Sequence, residues 1–261
     1  MRISCLAPTY NRPGIRPRLL DETVESFLRQ DYPDKELILL NDTPGQKLIL
    51  HDAPGVVIIN HPDRFPTLSD KIELMINEAS GKYLCRWDDD DICLPHRLSY
   101  SMKALQSYMG SSCLEWRSTN YWYCPAHKNG AMHYINGAGN THCMGLWDRA
   151  ILDKLEPKGY PPKMSGGEDQ EFNRLADLSG FAAPPCEIPA EEIFYLYRWG
   201  VSQAHLSATS GDPVKIQRYY DEIGRARITE GTHTIRPQWY ANYTLLAERA
   251  ALKHDSHAPA V

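Results

Sequence analysis

The stretch KYLCRWDDDDICLPHRL, residues 82–98, carries four consecutive aspartates, Asp88, Asp89, Asp90 and Asp91. Like charges a few ångströms apart repel by about 1 kcal/mol or more per pair even at surface dielectric values, so four adjoining carboxylates call for a cationic counterpart. Tyr83, Leu84 and Trp87 form a short apolar run that reads as a strand, and Pro95 opens a helix with Leu98, Met102, Leu105 and Met109 on one face. The acids therefore lie on the loop at the carboxyl end of a strand, which in open α/β sheets is the ligand-binding edge. The competing reading is a solvated acidic turn, or a helix start whose dipole favours acids. A strand running straight into the acids favours a ligand site. Its neutraliser is a hard cation, Mn2+ or Mg2+, since Mg2+ is typically held by one or two carboxylates together with substrate phosphates.

The chain has 261 residues, 42% of them hydrophobic, enough for one large α/β domain or two small ones. A net charge of −5 argues against a nucleic-acid partner, because phosphate neutralisation needs a basic face. No run of about 18 apolar residues exists to cross a membrane, and the start, MRISCL, reads as a strand rather than a leader, so the cytoplasm is the expected location. The seven cysteines are scattered without a CxxC pair and read as reduced, mostly buried thiols. Cys124, His127, His142 and Cys143 lack the regular spacing of a zinc site.

Residues 2–8 read as a first strand ending in APTYNRPG, followed by a helix over 17–30 with Leu20, Val24, Phe27 and Leu28 in phase. Glu36 to Leu40 is the near-continuous apolar run of a strand covered on both faces, and Asp42 stands at its tip. A third strand covers 55–59, and Leu68, Ile72, Met75, Ile76 and Ala79 stripe a helix closed by Gly81 at C′. The order β-α-β-β-α-β-α predicts a mostly parallel wound sheet whose polar tips, near Thr9, Asp42 and Asp88, share one edge.

After Gly110 the pattern becomes antiparallel. Leu114 to Tyr123 alternates, Asn129-Gly130 signals a hairpin, His142 to Trp147 reads as a strand, and Ile193 to Trp199 as the last. Between these, Ser165-Gly166-Gly167 introduces Glu168 and Asp169 at the head of a helix reaching about Ser179. In the tail, Asp212 caps a helix opening at Pro213, and Pro237 opens another bearing Trp239, Tyr240, Tyr243, Ala247 and Ala250. That aromatic stripe reads as core, as a homodimer contact or as a lid.

With APTYNRP, ELILLNDT, LSDKIELMINEASGKYLCRWDDDD, GGEDQEF and YLYRWGVSQAHLS in this order, the sequence resembles the family 2 glycosyltransferases over about residues 2–210. The resemblance implies a GT-A fold: a mostly parallel wound α/β sheet with helices on both faces, a smaller antiparallel acceptor-side part and C-terminal helices. It implies a domain over 1–210, with a nucleotide-binding half at 1–110 and an acceptor half at 111–210, and a helical extension over 211–261. The implied activity is inverting, metal-dependent transfer of a single hexosyl or N-acetylhexosaminyl unit from a nucleotide sugar. UDP-sugars are favoured over GDP- or dTDP-sugars, and the acceptor is a hydroxyl of a glycan, a lipid-linked sugar or another molecule.

Carried over position by position, the family pattern places Thr9, Tyr10, Asn11 and Arg12 against the nucleotide. It sets Asp42 on the base, Lys71 on a donor phosphate, and Asp88 and Asp89 on the ribose side. Asp90 falls on Mn2+ or Mg2+, with Asp91 and His205 as further ligands. Asp169 matches the general base and Glu168 supports it; read without the family, these two are a charge pair favoured by a helix dipole. Glu73 departs from the pattern, since relatives carry Asn there and an inward acid would repel phosphate. The full QxxRW motif of processive synthases is missing; only Tyr197-Arg198-Trp199 is present. Rival readings are a sugar nucleotidyltransferase, disfavoured by the lack of a glycine-rich basic phosphate loop, and a non-catalytic nucleotide- or sugar-binding relative.

Overall fold

The structure, a computed structural model, describes residues 1–11, 17–108, 110, 112–124, 132–137, 142–164, 166–198 and 228–256. Its centre is a six-stranded sheet in the order β4-β2-β1-β5-β10-β7. The strands are β1 (Ile3–Thr9), β2 (Lys35–Asn41), β4 (Val56–Asn60), β5 (Tyr83–Arg86), β7 (Glu115–Arg117) and β10 (Gly145–Asp148). β4, β2, β1 and β5 are parallel, whereas β10 runs antiparallel to both β5 and β7.

The period-2 alternation of buried strands divides the core in two. Cys5, Ala7, Leu37 and Leu39 face one layer, which contains α1 (Pro17–Leu28) and α3 (Arg97–Tyr108). Leu6, Ile38, Leu40 and Leu84 face the other, where α2 (Leu68–Glu78) and α4 (Glu168–Ser179) supply Ile72, Met75, Phe172 and Leu175. Helices thus cover both faces of the sheet, and the carboxyl ends of β1, β2 and β5 meet at one edge.

A second sheet, β6-β11-β8-β9, joins β6 (Ile92–Cys93), β8 (Asn120–Tyr123), β9 (His133–Asn136) and β11 (Tyr195–Tyr197). It is mixed rather than antiparallel throughout, because β11 pairs β8 in parallel. The expected strand over 114–123 is two strands in two different sheets, and the pairing of β8 with β9 brackets the Asn129-Gly130 turn, which lies outside the described residues. The segment from His142 begins as a 3-10 turn and becomes strand only at Gly145.

One element is additional and two further expectations are corrected. A two-stranded sheet of β3 (Gln46–Ile49) and β12 (Gly231–Thr234) joins the tail to the first half. The last helix, α5 (Tyr243–Asp255), starts at Tyr243 and not at Pro237, because the Asn242 side chain accepts from Leu245 N and makes the cap. Gly81 does not close α2 in the left-handed region; it is glycine because a Cβ there would lie 2.4 Å from Ser4 Oγ. The expected helix opening at Pro213 lies outside the described residues. Trp239 and Tyr243 pack inward: Trp239 Nε1 donates to Ser26 Oγ on α1 (3.0 Å), and Tyr243, Ala247 and Ala251 belong to the main core.

Candidate active site

β5 delivers the chain to Trp87, and Asp88 to Asp91 then turn before β6. Beside this loop β1 ends at Thr9 and β2 at Asn41, in register with one another. Lys71, buried on α2, ties these two tips together: its Nζ donates to the Thr9 carbonyl (2.5 Å) and to Asp42 Oδ1 (2.6 Å). Asp42 Oδ2 accepts from Phe65 N (3.1 Å). Burial acts first to push the Lys71 amine below its ordinary value, opposed by the Asp42 charge.

Thr9 is buried, and its hydroxyl has no partner among the described residues. Tyr10 lies beneath the Arg64 guanidinium, 4.1 Å from the ring centroid. Asn11 adopts φ 48° and donates its N–H to Thr43 Oγ1 (2.7 Å), while its Oδ1 accepts from Thr229 N (3.2 Å). A non-glycine residue in that region persists only where the surroundings hold it, here from β2 and from the tail.

In the acid loop, Asp88 is the most accessible member, with 24% of its side chain exposed, whereas Asp89, Asp90 and Asp91 are buried. Asp88 Oδ1 accepts from Arg86 Nη2 (3.1 Å) and its Oδ2 from Cys143 Sγ (2.5 Å). The Asp90 carbonyl accepts from Arg198 Nε (2.5 Å). Asp91 uses both carboxylate oxygens, one for the Tyr195 hydroxyl and the other for Arg198 N (2.7 Å). Burial, then the charges of Asp90 and Asp88, push the Asp91 carboxyl well above the usual carboxylate range.

Facing this loop is the start of α4. Gly167 caps it at φ 75°, a conformation that suits glycine. Glu168 is buried and its Oε1 accepts from Arg86 Nη1 (3.0 Å). Asp169 is half-buried, with Oδ1 accepting from Gln170 N (2.8 Å). Burial first, then the charge of Glu168, pushes the Asp169 carboxyl up to about 6, against the opposing pull of Arg86.

Residues 4–154 match the family model described as Glycosyl transferase family 2. The chain belongs to this family. The family 2 match contains the acid loop and ends before α4, so Glu168 and Asp169 lie beyond it. EpsE of Bacillus subtilis, a glycosyltransferase by name, is 28% identical over 114 residues, which are 41% of this chain and 39% of that relative. The chain thus spans well under half the length of that curated relative. Among solved structures, residues 1–349 of TarS from S. aureus, in complex with UDP-GlcNAc, superpose with a TM-score of 0.54 at 14% identity, covering 98% of this chain and 73% of that one. The mannosyltransferase PcManGT from Pyrobaculum calidifontis, in complex with GDP-Man and Mn2+, gives 0.52 at 14% identity, covering 100% and 76%. These likenesses show the GT-A fold.

Within that family 2 frame the structure brings Thr9, Tyr10, Asn11, Asp42, Lys71 and the four aspartates to one sheet edge, with Glu168 linked to Asp88 through Arg86. Two expectations change. Lys71 is paired with Asp42 and the Thr9 carbonyl rather than left for a phosphate, and both carboxylate oxygens of Asp91 already accept hydrogen bonds, from Tyr195 and Arg198. Glu73 is exposed on α2, which removes the concern that an inward acid repels phosphate. Arg12 and His205 lie outside the described residues. The sequence reading missed Arg86, Cys143 and Tyr195. An arginine inside the apolar run YLCRW was the available signal, since a buried strand holds a guanidinium only when acids meet it.

Proposed function

We propose that the protein transfers a single hexosyl or N-acetylhexosaminyl unit from a nucleotide sugar to an acceptor hydroxyl, with inversion, and that Asp169 is the general base. The observation that carries this reading is the half-buried Asp169 carboxyl raised to about 6 at a helix start joined through Glu168 and Arg86 to the acid loop. A base with a pKa just below working pH is mostly ionised and still a useful proton acceptor. Asp169 takes the proton of the acceptor hydroxyl as that oxygen attacks the anomeric carbon from the face opposite the nucleotide. Glu168, fixed by Arg86, holds the helix start in place.

On the donor side, Thr9, Tyr10, Asn11 and Arg12 line the nucleotide, Asp42 and its partner Lys71 stand at the base, and Asp88 and Asp89 at the ribose. Among the described residues no three His, Cys, Asp or Glu side chains are arranged so that they alone could hold a metal ion. The hard oxygen donors of the acid loop nonetheless have the chemistry that suits Mn2+ or Mg2+ completed by phosphate oxygens. Asp90 would hold it, and when bound it would neutralise charge on the leaving diphosphate. The donor is read as a UDP-sugar before a GDP- or dTDP-sugar. The acceptor is a glycan, a lipid-linked sugar or another hydroxyl compound. No helix among the described residues is long and apolar enough to cross a membrane; a cytoplasmic, non-processive enzyme, with a catalytic domain over 1–210 and a tail over 211–261, completes the proposal.

The test is sugar release and transfer from UDP-, GDP- and dTDP-sugars with Mn2+ or with chelator, and the product anomer read by NMR. Inverted product that depends on Asp169 supports the reading, and a retained anomer refutes it.

A further inference from the structure

Arg86 is 5% exposed, on a strand whose neighbours Tyr83, Leu84, Cys85 and Trp87 are also buried. A guanidinium taken out of water is tolerated only where acids and hydrogen bonds meet it on several sides. Three groups from three segments do so. Nη2 donates to Asp88 Oδ1 (3.1 Å) in the acid loop, and Nη1 to Glu168 Oε1 (3.0 Å) on α4 and to the Tyr160 hydroxyl (3.3 Å). Its own carbonyl accepts from Arg97 Nη2 (2.6 Å), which fixes the backbone from α3. Asp88 and Glu168 are 80 residues apart in sequence and belong to different motifs, and Arg86 is the side chain that touches both.

We propose that Arg86 is a positioning residue for glycosyl transfer: its planar fork locks the head of the acid loop to the N-terminus of α4, so that the donor-side carboxylates and the Asp169 base keep one separation. This rests on the transferase reading above. Arg86 does not contact the reacting atoms; it acts through Asp88 and Glu168. Among the described residues, the charged and titratable groups that act on or around Asp169 are Glu168, Asp88, Arg86, Tyr160 and Cys143, and of these Arg86 is the cation. Its loss leaves Asp169 among acids and neutral groups, which moves the base pKa upward.

The experiment compares full-chain wild type, Arg86→Met, Arg86→Lys and Glu168→Gln in transfer from UDP-, GDP- and dTDP-sugars with Mn2+ between pH 5 and 9, with UDP affinity measured by calorimetry. Arg86→Met is expected to lose roughly 10–100-fold in kcat, the scale of a misplaced catalytic group, with donor KM and UDP affinity within about threefold of wild type. Its acid limb is expected to move to higher pH. Arg86→Lys keeps the charge without the two-pronged geometry, so the limb stays in place while kcat recovers only in part. Wild-type kcat and an unmoved limb in Arg86→Met, or a loss confined to donor KM, overturns the proposal. If Arg86→Met does not fold by circular dichroism, Glu168→Gln decides: a fall in kcat with the limb moved to lower pH supports it, and unchanged kcat overturns it. A wild type that transfers no sugar, or a fully active Asp169→Asn variant, overturns the transferase reading and this proposal with it; wild-type transfer with an indifferent Arg86 overturns this proposal alone.

Discussion

Lowering the pH from 7 to 5 should switch the enzyme off through a single group, Asp169. Its carboxyl is pushed up to about 6, chiefly by burial and next by Glu168. In the proposed mechanism the active species is the carboxylate, so rate rises with pH through that value and then levels. With a pKa near 6, roughly 90% of Asp169 is ionised at pH 7 and roughly 9% at pH 5, a fall of about tenfold in kcat. An aspartate at its ordinary pKa of about 3.9 would still be more than roughly 90% ionised at pH 5 and would lose almost nothing. Initial rates at saturating donor and Mn2+, with donor affinity measured at both pH values, separate this from a binding effect. Asp169→Asn keeps shape and hydrogen bonding but removes the proton acceptor, at a typical cost of about 10²–10⁴ in rate, and should lose the inflection. A flat profile between pH 5 and 7, or an Asn variant at the wild-type rate, refutes the assignment.

Asp90→Ala, or chelator on the wild type, should collapse the affinity for UDP in calorimetry; equal affinity with and without metal removes the cation from the site. Lys71→Met leaves Asp42 charged and buried without its partner, and loss of one member of a buried pair costs about 3–5 kcal/mol, visible as a lower urea midpoint. Glu115, fully buried beside Arg117, is pushed up to about 7, mainly by burial, so folding favours its protonated form; stability is greatest below its unfolded value and falls as pH rises toward 7. Glu115→Gln should therefore gain on the order of 2–3 kcal/mol over wild type at pH 8 and nothing at pH 4, read from urea midpoints at the two pH values. Truncation after Thr209 removes Ile235, Tyr243, Ala247 and Ala251 from the core and should destabilise the chain; a truncated protein with unchanged melting temperature would show that the tail packing is dispensable.

The parallel half of the sheet was legible because a strand covered on both faces must be apolar almost continuously, as Glu36 to Leu40 is, and the edge strand Gly55 to Ile59 keeps the same apolar run although Val57 is exposed. The tips of such strands are where polar residues stop the run, which is why Thr9, Asp42 and Asp88 could be placed on one edge. β3 was not legible: Gln46 to Ile49 is short and finds its partner in Gly231 to Thr234, in the far tail of the sequence. The start of α5 was misread because proline at a first helical position is a strong local signal, yet Asn242 supplies the side-chain cap that the helix uses. Within the site, single acids were legible by residue type and order, but their pairing was not. Lys71 with Asp42, Arg86 with Glu168, and Arg198 with Glu22 join residues 29, 82 and 176 positions apart. No local pattern encodes such a contact.

Those three buried cations also bear on why the site has this form. A buried ion pair contributes little net stability, since desolvation offsets the attraction, and apolar replacements are often neutral or better. Stability therefore does not account for Lys71, Arg86 and Arg198; their positions do. Lys71 joins the tips of β1 and β2 from α2. Arg86 joins the acid loop to α4. Arg198, at the end of β11, reaches Glu22 on α1 and the Tyr243 hydroxyl on α5 while its backbone and Nε hold Asp91 and Asp90. The segments around the aspartates are thus fastened to helices by these cations. An acidic loop that takes up and releases a charged ligand in each turnover would otherwise spread whenever the ligand left, and each new binding event would bear the cost of gathering it again. Fastened in this way, the carboxylates hold their places, and that preorganisation is available to the proposed transfer step rather than consumed in rebuilding the site.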